Sequence, residues 1–316
     1  MVVNTGTFQQ SWVMLDFAKR ARVRSARPHP LTIADQKLVT YKTQDGRVHV
    51  AKDACPHRGA ALHRGAVKGE CIVCPYHDMA VGPTTHAPNF LEVVESSGGL
   101  WLDTASLGYG CKSRSKSLTV PPCSPEIVDP SFRTIEYTKR VKTNPVLMTE
   151  NTLDWKHLAS VHRFSLVDGD PVVTQCRDGI NGMATYEYTT PAFDLVIENE
   201  YWIPFTTCLR FIFTDKRTGT RLKPLLLWFS LTPLQMGVCD LNLRISRATM
   251  TWMPLVTDQL FKFVDELPLW EDLDIVSGVD PAEWSRNKMT SADALVSAYR
   301  AAMLNHCDPL LLKFVD

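Results

Sequence analysis

The chain has 316 residues, with 34 basic and 34 acidic side chains and with 45% hydrophobic and 22% charged residues. This length suits two domains, and the ordinary proportions predict packed cores and exclude a largely disordered chain. The balanced charge gives no support to a nucleic-acid or anionic-membrane partner, and no run of eighteen or more apolar residues predicts a membrane span.

Cysteine usage and the amino terminus bear on the compartment. The nine cysteines are odd in number and scattered, which argues against a disulfide framework. The amino terminus lacks a basic start followed by an apolar run, so no secretory signal is predicted. We therefore expect a reducing, cytoplasmic compartment.

The first part of the chain reads as short strands and turns. Leu31–Tyr41, Val48–Ala51 and Gly99–Leu102 carry β-branched or aromatic residues between breaks such as Asp45-Gly46. This pattern predicts a small all-β domain over residues 1–115. The composition changes over residues 108–130, with two glycines, a small basic run and then four prolines, and we predict a solvated linker over residues 116–130.

Two short cassettes in this first domain combine cysteine with histidine: Cys55-Pro-His57 and Cys74-Pro-Tyr-His77. Two thiolates and two imidazoles are the ligands of a Rieske [2Fe–2S] centre, in which two cysteines hold one iron and two histidines the other. A zinc site is the alternative, because Cys₂His₂ is also a tetrahedral zinc set and Cys71 forms a CxxC pair with Cys74. The one-residue gap in the first cassette, and the mixing of thiol and imidazole in both, favour the iron–sulfur centre and leave Cys71 as a buried bystander.

The second domain, residues 131–316, begins with a helical stretch near 145–162. Helix-favouring sequence returns over 257–276 and 291–303. Between them lie strand-like segments separated by turn signals: Thr185–Thr190, Phe193–Trp202, Cys208–Phe213, Leu225–Leu231 and Val238–Thr249. This order predicts one curved antiparallel sheet with helices. The predicted fold class is therefore α+β, with an N-terminal all-β domain and a C-terminal antiparallel-sheet-and-helix domain of the helix-grip type.

A second constellation places Asp154, His157 and His162 close together in the sequence. Two neutral imidazoles and one carboxylate form the facial triad of non-haem Fe(II) oxygenases, and surface or capping side chains are the alternative for two such histidines. At about 100° per residue the two histidines lie about 140° apart on an ideal helix. A shared ion therefore requires a distorted helix, for instance one with a π-bulge. We expect irregular helical hydrogen bonding over 157–162.

These motifs together resemble the catalytic α subunits of Rieske non-haem iron oxygenases. The resemblance rests on both cassettes, including the run CPHRGAAL, on the spacing D-x2-H-x4-H of Asp154, His157 and His162, and on the Glu150-Asn151 lead-in of monooxygenase and demethylase branches. The Arg27–Pro30 stretch is similar to the branches of pheophorbide a oxygenase and of vanillate and dicamba demethylases.

The resemblance also implies the third iron ligand. The segment Leu269-Trp-Glu-Asp-Leu-Asp-Ile-Val276 is similar to the E-D segment that supplies this ligand in the family. It implies Asp272 as the ligand, with Asp274 as the fallback, because the two aspartates lie two residues apart. An exposed helix carboxylate is the alternative for either residue.

The family resemblance implies a mononuclear Fe(II) that uses O₂ and externally supplied electrons to hydroxylate or oxidatively demethylate a small organic substrate. A ferredoxin, a flavin reductase or both would deliver electrons, and NAD(P)H would be consumed only by that partner, because no nucleotide-binding glycine pattern is visible. An electron-transfer protein without oxygenase activity and a zinc-stabilised binding protein are the alternatives.

Asp154 is predicted to hold a metal-binding histidine in place without binding the metal itself. A ligating histidine commonly donates its other N–H to a carboxylate, and Asp154 is one turn before His157, where it can accept that bond. The resemblance further implies a homotrimer, in which Asp154 has a catalytic role by linking the mononuclear site to His77 of a neighbouring subunit.

One departure from the family lies beside the second cassette. The usual Gly-Trp is Asp78-Met79 in this chain, which puts hydrogen bonding and solvent exposure at the cluster in question. Sheet aromatics are candidates for the lining of the substrate pocket, with core packing as their alternative role: Phe193, Trp202, Phe205, Phe213 and Trp228.

Overall fold

The computed structural model describes residues 12–18, 27–107, 120–162, 172–177, 181–189, 191–248, 269–280, 288–290 and 293–307. The chain divides into two compact units: residues 1–120 with 232–236, and residues 121–231 with 237–316. The division after residue 120 lies inside the predicted linker 116–130, of which residues 116–119 are outside the described ranges.

The first unit contains three small antiparallel sheets, with strand orders β1-β10-β9, β2-β3-β4-β8 and β5-β6-β7. The strands are β1 (Trp12–Phe17), β2 (His29–Ile33), β3 (Gln36–Lys42), β4 (Val48–Lys52), β5 (Ala66–Lys68), β6 (Cys71–Val73), β7 (Ala80–Val81), β8 (Phe90–Leu91), β9 (Val93–Ser96) and β10 (Gly99–Asp103). The predicted segment Leu31–Tyr41 is a hairpin, because Ala34 and Asp35 take φ angles of 48° and 62° and turn the chain between β2 and β3. The described residues of this unit confirm the predicted all-β character.

The core of the first unit lies directly beneath the two cassettes. Cys55 and Cys74 belong to a cluster of buried residues from β3, β4, β6, β7 and the turn after the first cassette. The other members of this cluster are Val39, Tyr41, Ala51, Leu62, Ile72 and Val81. Apolar packing therefore buries the two thiols at the base of their loops.

The second unit is built on one seven-stranded sheet with the order β11-β17-β16-β15-β14-β13-β12. Its elements are α1 (Pro125–Val128), β11 (Phe132–Val141), α2 (Pro145–Leu153), α3 (Lys156–Ser160), β12 (Val172–Arg177), β13 (Asn181–Thr189), β14 (Phe193–Trp202), β15 (Thr206–Asp215), β16 (Leu225–Gln235), β17 (Val238–Ala248), helical residues 269–277, named α4, and α5 (Ala294–His306). Strands β13 to β17 confirm the predicted antiparallel sheet, and β11 and β12 are two strands that were not predicted. Residues 257–268 of the predicted helix 257–276 lie outside the described ranges.

Helix α2 begins at a strong local signal and ends against the sheet. The Asn144 side chain accepts hydrogen bonds from the backbone N–H groups of Val146 and Leu147 at 2.8 and 3.3 Å, and Pro145 occupies the first helical position. Near the other end, the Thr152 hydroxyl donates to Thr207 Oγ1 at 2.9 Å, and Asn199 Nδ2 donates to the Thr152 carbonyl at 2.9 Å. These bonds fix the end of α2 on one face of the sheet.

The strand register divides the aromatic candidates between the two faces of this sheet. Thr207 and Asn199 point toward α2, whereas Trp228 pairs with Cys208 and Trp202 pairs with Thr206. Because successive strand side chains alternate between faces, both tryptophans lie on the face away from α2. A pocket on the α2 side of the sheet would therefore not be lined by Trp202 or Trp228.

Candidate metal centres

The two cassettes fold into loops with the same backbone plan. In the first loop the Cys55 N–H donates to the Ala60 carbonyl and the Gly59 N–H donates to the Cys55 carbonyl, both at 2.8 Å. In the second loop the Cys74 N–H donates to the Met79 carbonyl at 2.9 Å, and the Asp78 N–H donates to the Cys74 carbonyl at 3.1 Å. The spacing from each cysteine is the same, so each loop wraps its backbone around its own thiol.

Burial separates the four cassette ligands into two kinds. Cys55 and Cys74 are buried, whereas His57 and His77 are exposed, with their ring centroids 4.9 Å apart. The Cys55 thiol also hydrogen-bonds Cys74. Paired thiols inside and paired imidazoles outside fit a Rieske cluster, in which one iron is held by two cysteines and the other by two histidines.

The same geometry argues against zinc. A tetrahedral ion brings its ligands to about 2.0–2.3 Å, and so brings all four ligand atoms close to one another. Among the described residues, which include both cassettes, only His157, His162 and Asp272 bring three such ligand atoms within 4.8 Å of one another.

Cys71 is partly buried, not fully buried as predicted. Its Sγ packs closely against Gly82, since it lies 2.5 Å from the position that a Cβ would take there.

The Cys74 thiol has an unusual electrostatic environment. Burial opposes its ionisation, but hydrogen bonds from the backbone of Tyr76 and His77 and from Cys55 outweigh burial, so the pKa of Cys74 is lowered. The Asp78 carboxylate acts in the opposite direction. A lowered pKa favours the thiolate, which is the form that binds metals.

The second centre joins three residues from distant parts of the second unit. His157 lies in α3, His162 follows the end of that helix, and Asp272 lies in α4. Asp272 Oδ1 is 3.6 Å from His157 Nε2 and 3.1 Å from His162 Nε2. This oxygen is buried and has no hydrogen-bond partner among the described residues. Two imidazoles and a carboxylate that converge in this way fit one metal ion of the facial-triad type.

The helix that carries the histidines is interrupted, as their shared site requires. Helix α2 ends at Leu153, α3 covers Lys156–Ser160, and the last bond of α3 joins the Val161 N–H to the His157 carbonyl at 2.7 Å. The two histidines therefore do not lie on one regular helix, since His162 follows its end. Their ring centroids are 5.1 Å apart.

Both imidazoles are anchored through Nδ1, which leaves Nε2 facing Asp272. His157 Nδ1 bonds to the backbone carbonyl of Asp154, while the Asp154 carboxylate accepts from the Lys156 N–H at 2.8 Å. The prediction that this carboxylate accepts the His157 bond was therefore wrong, because the chain turn at Asp154 presents its carbonyl instead. His162 Nδ1 lies 2.9 Å from Glu271 Oε2.

Glu271 is the site residue that the sequence reasoning missed. It immediately precedes Asp272, and a carboxylate next to the ligand was the available signal. Asp274, the fallback ligand, is exposed and does not belong to the converging set. The structure thus brings Asp272, and not Asp274, to the two histidines.

The chain is similar to proteins of one kind in three comparisons. Residues 11–90 match the family described as the Rieske [2Fe-2S] domain. The oxygenase component of dicamba O-demethylase from Stenotrophomonas maltophilia is 29% identical over 157 residues, which cover 44% of each protein. The oxygenase component of 3-ketosteroid-9-alpha-monooxygenase from Rhodococcus rhodochrous is 35% identical over 75 residues, which cover 24% of this chain and 19% of that protein. The chain therefore spans less than half the length of these curated relatives.

Structural similarity extends over nearly the whole chain. The crystal structure of dicamba monooxygenase bound to dicamba aligns with a TM-score of 0.70 at 21% identity and covers 98% of both chains. This likeness establishes the fold. The chain contains a Rieske [2Fe-2S] domain over residues 11–90.

The two histidines of the candidate metal site have pKa values shifted in opposite directions. Burial lowers the pKa of His157 despite the nearby carboxylates of Asp272 and Asp154. Burial alone would also lower the pKa of His162, but the carboxylates of Asp272 and Glu271 outweigh it and raise the pKa. The lowered pKa favours the neutral, metal-binding form of His157, whereas the raised pKa of His162 makes a proton a stronger competitor with a metal ion there.

Asp154 borders an open groove of about 410 Å³ in the second unit. Glu150 and Arg300 also line this groove, and their side chains form a two-bond ion pair at 2.6 and 2.7 Å that joins α2 to α5. The pair holds the end of α2 that leads to Asp154.

In the described part of the chain, no helix has the length and apolar character needed to cross a membrane.

Proposed function

We propose that the chain is the oxygenase component of a Rieske monooxygenase that uses O₂ and external electrons to hydroxylate or oxidatively demethylate a small organic substrate. The observation that carries this proposal is the convergence of His157, His162 and Asp272 within 4.8 Å. A simple electron carrier has no need of this second centre. The relatives named as a dicamba O-demethylase and a ketosteroid monooxygenase support the same reading.

The proposed mononuclear ion is Fe(II), held by Nε2 of His157, Nε2 of His162 and Asp272 Oδ1. Two histidines and one carboxylate leave coordination positions open, and the bound iron supplies the O₂ chemistry. The protein orients the ligands: the Asp154 carbonyl and the Glu271 carboxylate each hold one Nδ1–H, so both Nε2 lone pairs face the same point.

Apolar side chains on the α2 face of the sheet are the proposed substrate wall. Leu227 and Phe229 pair with Leu209 and Thr207, which share the face that α2 contacts. They belong to a partly buried cluster that also contains Ile135, Tyr137, Leu225, Leu243 and Ile245. Such a wall excludes water and suits a small substrate with an apolar or aromatic body.

Electron supply is proposed to come from a neighbouring subunit in a homotrimer. The imidazoles of His57 and His77 are exposed on the Rieske unit, and Asp154 is partly exposed beside the open groove. We infer that His77 of one subunit faces Asp154 of the next. A ferredoxin or flavin reductase would reduce the cluster, and only that partner would use NAD(P)H.

The cysteines support a reducing compartment such as the cytoplasm. Seven of the described cysteines are free thiols. Two of them are the proposed cluster ligands, and the remainder are scattered over both units.

Iron counting and O₂ uptake test the proposed function. The purified protein is expected to be red-brown, with about three iron atoms and two sulfides per chain. With a surrogate reductase, a panel of methoxylated, N-methylated and unsubstituted ring compounds should contain at least one that stimulates O₂ uptake. A protein that holds the cluster but never binds a third iron would contradict the proposal.

A further inference from the structure

The two cassette loops differ at one equivalent position. Four residues after the cysteine, each loop turns through a left-handed backbone conformation, with φ of +72° at Gly59 and +55° at Asp78. Glycine adopts this conformation freely, and aspartate is one of the few other residues that tolerate it. The second loop therefore keeps the turn but adds a carboxylate.

This carboxylate lies at the edge of the cluster site. Asp78 is exposed, directly follows His77, and donates its backbone N–H to the Cys74 carbonyl. Its negative charge interacts unfavourably with negative charge on the Cys74 sulfur. The first loop has no charge at the matching position, because Gly59 occupies it.

We propose that the Asp78 carboxylate lowers the midpoint potential of the Rieske cluster. One-electron reduction converts one ferric ion of the cluster to ferrous, adds one negative charge and breaks no bond. A fixed negative charge beside the cluster repels this added charge and favours the oxidised form. The inference rests on the Rieske domain and does not depend on the proposed oxygenase function.

Asp78→Asn is the decisive variant, since asparagine also tolerates the left-handed conformation and only the charge is removed. A redox titration followed by the visible spectrum should find the reduction equilibrium shifted about threefold to tenfold toward the reduced cluster. This shift corresponds to roughly 30 to 59 mV upward for one electron. Glu95→Gln is the matched control, because it removes an exposed carboxylate from β9 in a different sheet and should leave the potential unchanged.

A reciprocal pair of variants tests the first loop. A Cβ at Gly59 would meet no atom within 4 Å, so a side chain fits there without a clash. Gly59→Asp should lower the potential relative to Gly59→Asn, because only the charge distinguishes the two. This arm keeps the test informative even where an Asp78 variant fails to assemble its cluster.

Salt and a glycine variant separate charge from backbone effects. The gap between the wild-type potential and that of Asp78→Asn should shrink as ionic strength rises, since Asp78 is exposed and screened. An unchanged potential in Asp78→Asn, with full iron content and a native electron paramagnetic resonance spectrum, would overturn the proposal. It would equally fail if Asp78→Gly shifted the potential while Asp78→Asn did not, because the backbone would then be the cause. A protein without any cluster would instead refute the Rieske assignment.

Discussion

The four proposed cluster ligands all lie within residues 55–77, in two loops that repeat one backbone plan, whereas the proposed mononuclear triad joins two histidines near α3 to Asp272, more than a hundred residues later. In the loops, hydrogen bonds within each cassette shape the ligand set. In the triad, the position of α4 against α3 decides whether three ligand atoms meet. Local chain geometry thus specifies the first centre, and long-range packing specifies the second. Changes in the second unit should therefore damage the triad while sparing the cluster.

The largest expected effect is the loss of either metal centre while the other stays intact. His157→Ala should remove the mononuclear iron, about one third of the total, and abolish substrate-dependent O₂ uptake, while the visible spectrum of the cluster persists. Cys74→Ala should do the reverse and bleach the cluster while leaving metal binding at the triad. Iron analysis and spectra measure both, with His306→Ala as a control histidine on α5. Loss of the cluster colour in His157→Ala would show that the centres are not independent.

The next effect distinguishes two aspartates on one helix. Asp272→Asn should weaken Co²⁺ binding to the iron-depleted protein by at least about a hundredfold, because a buried anionic ligand is lost. Asp274→Asn, two residues away and exposed, should bind Co²⁺ as the wild type does. Isothermal titration calorimetry gives both affinities. Equal losses in the two variants would count against Asp272 as the ligand.

A smaller effect tests whether the helices around the triad can be destabilised without destabilising the cassette loops. Arg300→Met leaves the largely buried Glu150 carboxylate without its ion-pair partner and should cost about 3 kcal/mol of unfolding free energy. In urea, triad-bound Co²⁺ should be released at a lower concentration, while cluster absorbance is lost at the wild-type midpoint. Lys288→Met, which removes an exposed charge from the same groove, should change neither midpoint. A parallel loss of cluster absorbance in Arg300→Met would break the distinction between the two regions.

The smallest effect concerns the outer carboxylate of His162. Glu271→Gln should weaken Co²⁺ binding about 10- to 100-fold, since the Nδ1 anchor loses its charge. The raised pKa of His162 also predicts a pH dependence. As the pH falls, His162 of the wild type is protonated before His162 of the variant, so the difference in Co²⁺ affinity between the two proteins becomes smaller. Affinities at several pH values test this, with Asp274→Asn as the control. A gap that widens at low pH would contradict the assigned role of Glu271.

Much of the candidate site could be predicted from the sequence because its signals are local. The cassettes place thiols and imidazoles at fixed short spacings, and strands β13 to β17 show alternating or β-branched patterns between turn residues. The pair His157 and His162 is likewise a local spacing, and its geometry alone required an interrupted helix. The flanking strands β11 and β12 were missed, and only their place in the sheet identifies them.

The sequence by itself determined the candidate ligand types, their spacing and the fold class, because these follow from side-chain chemistry and short-range periodicity. Only the tertiary structure decided that Asp272 and not Asp274 meets the histidines, that the Asp154 carbonyl and Glu271 orient the rings, and that Trp202 and Trp228 face away from α2. Each of these depends on how one element rotates and docks against another. A rotation of one residue on a helix or strand changes which side chain faces the site, and no local pattern fixes that rotation.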